Sequence, residues 1–190
     1  MKFANTDIGG FEHAMRGMRN PLESWDKASK ETDIDLAQRL IKAGPEHRKF
    51  MRQIYVSVDI TAPIFWWKEF DTYKIGTTAN STSTMHKLTA HPITIDCFEM
   101  DEFEDDEDIE FLVASLENLR LKYLETKERK YWKKLVCVLP QAWLQTRTVT
   151  MSYENIYNMI RQRSSHKLTE WHDFIEWAKK LPQAEEFLFL

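Results

Sequence analysis

The stretch from Ile54 to His86, IYVSVDITAPIFWWKEFDTYKIGTTANSTSTMH, changes its pattern twice, and those changes decide the fold class. Ile54, Val56, Val58 and Ile60 alternate with Tyr55, Ser57 and Asp59, the two-residue period of a strand with one buried face. From Pro63 the apolar side chains of Ile64, Phe65, Trp67 and Phe70 move to helical spacing, and proline suits a first helical turn because its missing N–H is not needed there. Trp66 and Trp67 read as core or as subunit contact. Six of the eight residues from Thr77 to Thr84 are then Ser or Thr, and none is charged. Hydroxyls at that density make a flexible linker, a neutral surface loop, or a cradle for phosphate oxygens.

The flanks are mostly helical in period. TDIDLAQRLIKAG predicts a helix with Thr32 or Asp33 as N-cap, an apolar face of Ile34, Leu36, Leu40 and Ile41, and Gly44 as its stop. Residues 108–130 predict one long amphipathic helix through Ile109, Leu112, Val113, Leu116, Leu119 and Tyr123. The apolar piece KLVCVLP turns at Pro140, and two helices follow, about Tyr153 to Arg163 after Ser152 and about Glu170 to Lys180 after Thr169. Only five glycines and six prolines interrupt 190 residues, so long regular elements prevail. The expected fold class is α+β, mainly helical with a small antiparallel sheet, in a single domain over residues 1–190.

Composition excludes several functions. Apolar runs such as PIFWW fall far short of the roughly 20 residues that span a bilayer, so no membrane helix is expected. The first residues lack an apolar signal-peptide core, which makes the cytoplasm the expected compartment. A net charge of -4 argues against duplex nucleic acid as a partner. Cys97 and Cys137 sit in apolar settings that suit buried, reduced thiols. The acidic run from Glu99 to Glu110 lacks the glycine turn of a calcium loop and reads as a solvated loop and helix start. The six histidines form no HExxH, and GxSxG, GxGxxG and the P-loop pattern are absent, so no metal site and no familiar catalytic motif is predicted.

One constellation remains. SYENIYNMIRQRSSH groups Asn155, Asn158, Arg161, Arg163 and His166 around a helix end. Guanidinium forks and amides bind phosphates and ring edges, yet cations at a helix C-terminus also answer its dipole.

Several of these segments, in this order, resemble the flavin-dependent thymidylate synthases. LIKAG is similar to that family's helix ending in IKSG, and Glu46-His47 to its Glu-His pair. The strand through Ile60 and the helix APIFWWKEF then stand before the place of the signature RHRxxSxNxxSxRY. Asn80 and Ser83 keep its NxxS spacing, with Thr78 at the first Ser. LPQAWLQTRTVTMSYENIYNMIRQRSSH resembles the carboxyl part, with Asn158 and Arg163 at the N-x-x-x-x-R spacing and His166 near a matching His. The likeness runs from about Ile34 to Leu188 and rests on order and spacing. Its departures fall on charge: the RHR triplet becomes Asp71-Thr72-Tyr73 or Tyr73-Lys74-Ile75, the closing Arg-Tyr becomes Met85-His86, and Ser152 and Glu154 replace an Asn and an Arg.

The resemblance implies a flavin-dependent thymidylate-synthase-like fold and a homotetramer whose sites are shared between subunits. It implies FAD as cofactor and dUMP as nucleotide, with FAD-dependent dUMP methylation as the family activity. Carried over position by position, His47, Thr78, Asn80 and Asn158 would contact the cofactor, and Ser81, Ser83, Arg163 and His166 the nucleotide. No catalytic residue is assigned. Lys74 and His86 are the cations left near the degenerate motif. Because its arginines are missing, the alternative expectation is a non-catalytic relative that binds or sequesters a nucleotide, or serves as an assembly partner.

Overall fold

Four strands, β1 (Lys2–Gly9), β2 (Tyr55–Pro63), β3 (Thr78–Ser81) and β4 (Leu144–Ser152), pair in the order β1-β2-β4-β3 in this computed structural model, which describes residues 1–100 and 107–190. The alternation at Ile54–Ile60 does produce a strand: Val56, Val58, Ile60 and Ala62 are buried while Ser57 and Asp59 face outward. Ser57 pairs with Thr150 through their hydroxyls at 2.8 Å, and the Thr148 hydroxyl donates to Asp59 at 2.6 Å, so the partners run in opposite directions and β2 and β4 are antiparallel. The helices are α1 (Phe11–Arg19), α2 (Lys30–Ala43), α3 (Ile64–Phe70), α4 (Thr84–Lys87), α5 (Glu107–Thr126), α6 (Arg129–Val138), α7 (Tyr153–Arg163), α8 (Thr169–Ala178) and α9 (Ala184–Phe187). The mainly helical α+β class is the one observed. No described helix is long and apolar enough to cross a membrane.

The chain divides into two compact units. The first comprises Met1–Lys2, Thr61–Phe70 and Asn80–Arg147. Leu88, Ile93, Phe98, Met100, Leu116 and Leu135 make one core there, between the segment after α4 and the α5–α6 hairpin. Trp66, Trp67 and Phe70 on α3 are buried against one another, with Trp67 donating from Nε1 to the Gln145 carbonyl at 2.9 Å. The core reading of the tryptophan pair therefore holds.

Helices α5 and α6 correct the expectation of a single helix over 108–130. Lys127 takes a left-handed conformation, φ 56°, which ends α5 and lets α6 fold back. The piece KLVCV is the end of α6, with Leu135 buried and Cys137 exposed. Both thiols are free, but the expectation that they are buried is corrected, because Cys97 is half-buried and Cys137 faces out on the polar side of its helix. Residues 101–106 of the acidic run lie outside the described residues.

The second unit comprises Phe3–Ile60, Asp71–Ala79 and Thr148–Leu190. Its core gathers Ile41, Phe50, Met51, Ile54, Tyr153, Ile156, Trp171, Phe174 and Phe187. Helix α2 begins at a Ser29 cap rather than at Thr32 or Asp33: Ser29 Oγ accepts from Thr32 N, and Thr32 Oγ1 accepts in return from Ser29 N. Helix α7 starts at Tyr153 after its Ser152 cap and ends at Arg163, as the sequence predicts. Helix α8 starts a residue early, with Leu168 rather than Thr169 at the cap. The sequence reading missed β1, α1, β3, α4, β4 and α9. Gly10, at φ 88°, makes the turn between β1 and α1, and a Cβ there would stand 1.9 Å from the Gln53 carbonyl oxygen.

Candidate functional site

Helix α7 organises the second unit's polar groups. The Ser152 hydroxyl accepts from Asn155 N at 3.2 Å while Asn155 Oδ1 accepts from Ser152 N at 3.0 Å, a reciprocal cap that fixes the helix start. The same Asn155 donates from Nδ2 to the Ile75 carbonyl at 2.7 Å, so the loop after α3 is fastened to the helix. Asn155, grouped by sequence with a ligand-binding cluster, is thus engaged in structure.

One turn on, a network crosses from α7 to the 3-10 segment Arg48–Gln53. Glu154, 8% exposed, takes Nε of Arg48 at 3.2 Å and is ion-paired to Arg52. Arg48 Nη2 donates to Asn158 Oδ1 at 3.2 Å, and its guanidinium lies 4.8 Å from the Tyr157 ring centroid. Arg161 sits against the same ring at 5.4 Å. Where the resemblance expected an arginine at 154, the protein has a carboxylate that holds two arginines, so these three groups sum to one positive charge.

The C-terminal turn of α7 carries a second cluster. Arg163 Nε donates to the Tyr73 hydroxyl at 3.0 Å, and that hydroxyl donates to Gln162 Oε1 at 3.0 Å. The Arg163 guanidinium lies 5.6 Å from the Tyr73 ring centroid and 5.0 Å from that of Trp171. His166 packs its ring against Trp171 and accepts from Leu168 N at Nδ1, 3.2 Å away. Arg163 and His166 are therefore brought together on one indole, as a planar cation and an imidazole. Helix α7 closes with the basic side chains Arg161 and Arg163 that its dipole favours.

His47 stands elsewhere in the unit, at the start of the 3-10 segment, and lines a cleft of about 750 Å³. Leu36, Leu40 and Phe50 give that cleft apolar walls, and Lys27, Arg39 and Lys49 give it cations. The volume is within the range of small-molecule sites, and rings plus phosphates suit such a lining. Thr78 is exposed on β3. Neither Thr78 nor Asn158 lines the His47 cleft.

In the first unit Asn80 and Ser81 are exposed on β3, and Ser83 caps α4 by accepting from His86 N at 3.3 Å. The strand is tied by Thr82 N to the Thr146 carbonyl at 2.9 Å. The hydroxyl run is thus a short edge strand followed by a helix cap, not a linker. Thr77, at its start, buries a hydroxyl with no hydrogen-bond partner among the described residues, the kind of group that a ligand or ordered water completes.

Sequence reasoning missed Arg48, Tyr73 and Gln162. Arg48 follows His47 directly, and its position beside the Glu-His pair is the signal that was available. Tyr73 was seen only as a replacement within the degenerate triplet.

No family model matches the sequence, and no curated protein matches it significantly. Solved structures do match. A flavin-dependent thymidylate synthase from Helicobacter pylori, complexed with FAD and dUMP, superposes with a TM-score of 0.79 at 18% identity, over 100% of this chain and 98% of that one. A second structure of the enzyme from that organism with FAD and dUMP gives 0.78 at 18% identity, over 100% and 97%. The fold of this chain is the flavin-dependent thymidylate synthase fold.

Proposed function

We propose that the protein binds a pyrimidine nucleotide and FAD as a divergent flavin-dependent thymidylate-synthase-like protein. The observation that carries this reading is the end-to-end fold match to an enzyme solved with FAD and dUMP. The clustered Arg163, His166 and Trp171, the cation-rimmed His47 cleft and the orphaned Thr77 hydroxyl support it from the residues themselves. In this reading His47, Thr78, Asn80 and Asn158 hold the cofactor, while Ser81, Ser83, Arg163 and His166 hold the nucleotide. Arg163 meets an anionic oxygen with its fork, and the hydroxyls donate neutral hydrogen bonds. Bound FAD supplies hydride-transfer chemistry. The protein acts as a homotetramer in the cytoplasm, and light scattering on the purified chain reads the assembly directly.

A second reading has its own observation. Residues 70–87 contain no arginine, and Glu154 already neutralises one of the two guanidiniums it touches. Fewer cations stabilise a bound anion less and a developing negative charge much less, which favours a protein that retains nucleotide without converting it. NADPH oxidation that requires both dUMP and a folate carbon donor identifies the enzyme. Stoichiometric retention of unchanged nucleotide identifies the binder. A colourless protein that gains no flavin spectrum with FAD and no thermal shift with dUMP or dTMP defeats both.

A further inference from the structure

Arginine has five donor hydrogens and no acceptor atom. The partner of Arg48 Nη2 on Asn158 must therefore be the side-chain oxygen, at 3.2 Å, and not the amide nitrogen. That settles the orientation of an amide that would otherwise be ambiguous. Arg48 is itself held by Glu154 and by its stacking at 4.8 Å on Tyr157, and its side chain is only 14% exposed. The Asn158 Nδ2 group makes no hydrogen bond among the described residues, so its two hydrogens remain to be given.

We infer that Arg48 is a positioning residue that fixes Asn158 as a hydrogen-bond donor, so that this position recognises a ring carbonyl oxygen on the ligand. The inference rests on the nucleotide- and flavin-binding reading and narrows it. Uracil and the flavin ring both present carbonyl oxygens, whereas cytosine carries an amino donor where uracil has one of them. An amide free to rotate would accept either edge. An amide locked by a cation rejects the donor edge, because two donors facing each other leave both unpaired.

Asn158→Asp separates this role from a structural one. An aspartate keeps and strengthens the contact to Arg48, so the melting temperature is not lowered, but it has no hydrogen to give. Titration of wild type and variant with FAD, dUMP and dCMP is expected to show a loss of about tenfold or more for FAD or for dUMP. A loss confined to dUMP assigns the carbonyl to the base, and one confined to FAD assigns it to the flavin. Arg48→Met is expected to lose the same probe, whereas Arg48→Lys, which can still only donate, retains it better. Where the base is the source, Arg48→Met also narrows the preference for dUMP over dCMP. Unchanged affinity of Asn158→Asp for both FAD and dUMP overturns the recognition role, and equal losses in Arg48→Met and Arg48→Lys overturn the positioning role. A wild type that binds none of the probes overturns the nucleotide reading itself and the inference with it.

Discussion

The Arg163 guanidinium lies 5.0 Å from the centroid of Trp171, an indole with no exposed surface, and its Nε is hydrogen-bonded to Tyr73. A guanidinium seated on a buried ring and hydrogen-bonded to a phenol is held in one orientation. Arg163→Ala is therefore expected to weaken dUMP binding by roughly ten- to a hundredfold, the scale of one charge-assisted contact, whether or not the protein turns over. Equilibrium dialysis measures this, and undiminished affinity removes Arg163 from the site.

Tyr73→Phe keeps the ring under the guanidinium but deletes the hydroxyl that Arg163 and Gln162 share. The expected result is a smaller loss of dUMP affinity than in Arg163→Ala, about three- to tenfold, at nearly unchanged stability. If Tyr73→Phe binds dUMP like wild type, the hydroxyl has no part in aiming the arginine.

Gly10→Ala is a stability test at a single backbone position. The added Cβ meets the Gln53 carbonyl oxygen at 1.9 Å, and φ 88° is strained for any L side chain. Urea unfolding is expected to show a loss of about 2 kcal/mol or more, and a neutral result would contradict the turn geometry.

Glu117 provides a pH signature. Its carboxylate is held below the ordinary range first by the hydrogen bonds from Arg120, at 2.7 and 2.8 Å, and further by the Ile93 N–H at 2.8 Å, against the opposing pull of burial. A carboxylate whose folded pKa is depressed adds stability that is present above its unfolded pKa of about 4.3 and lost as pH falls through the folded value. Arg120→Met lacks the contribution at every pH. The gap between wild type and variant, about 2 kcal/mol at pH 7, is expected to narrow below about pH 4. A gap that stays constant across acid titration by circular dichroism contradicts the assignment.

Where local chemistry and tertiary packing agree, the sequence was readable. Helix α7 has its cap at Ser152 and its end at Arg163 because the hydroxyl, the apolar face of Ile156, Met159 and Ile160, and the closing basic residues all point the same way. Strand β2 was equally legible from its alternation. Strand β4 was not, because the face it shares with Val149 and Met151 also carries Arg147, which is accommodated by stacking 4.2 Å from the Trp67 ring. A charged residue on an inward face hides the period of a strand. The break between α5 and α6 was hidden for a different reason: Lys127 adopts a left-handed conformation with no glycine or proline to announce it.

The candidate site was half legible. Asn158, Arg163 and His166 lie close in sequence on and after one helix, so their grouping could be read. Their orienting partners could not, since Arg48 is 110 residues from Asn158 and Tyr73 is 90 from Arg163. Glu154 looked like the loss of a cation until the structure showed Arg48 and Arg52 drawn to it.

The Asp71–Ala79 segment is fastened to α7 at both ends of the helix, by Asn155 to the Ile75 carbonyl and by Tyr73 to Gln162 and Arg163. Fixing a loop residue costs about 1–2 kcal/mol of conformational entropy, and here that cost falls on folding rather than on ligand binding. A nucleotide reaching this segment meets a surface already arranged, so its contacts go into affinity instead of into ordering the chain.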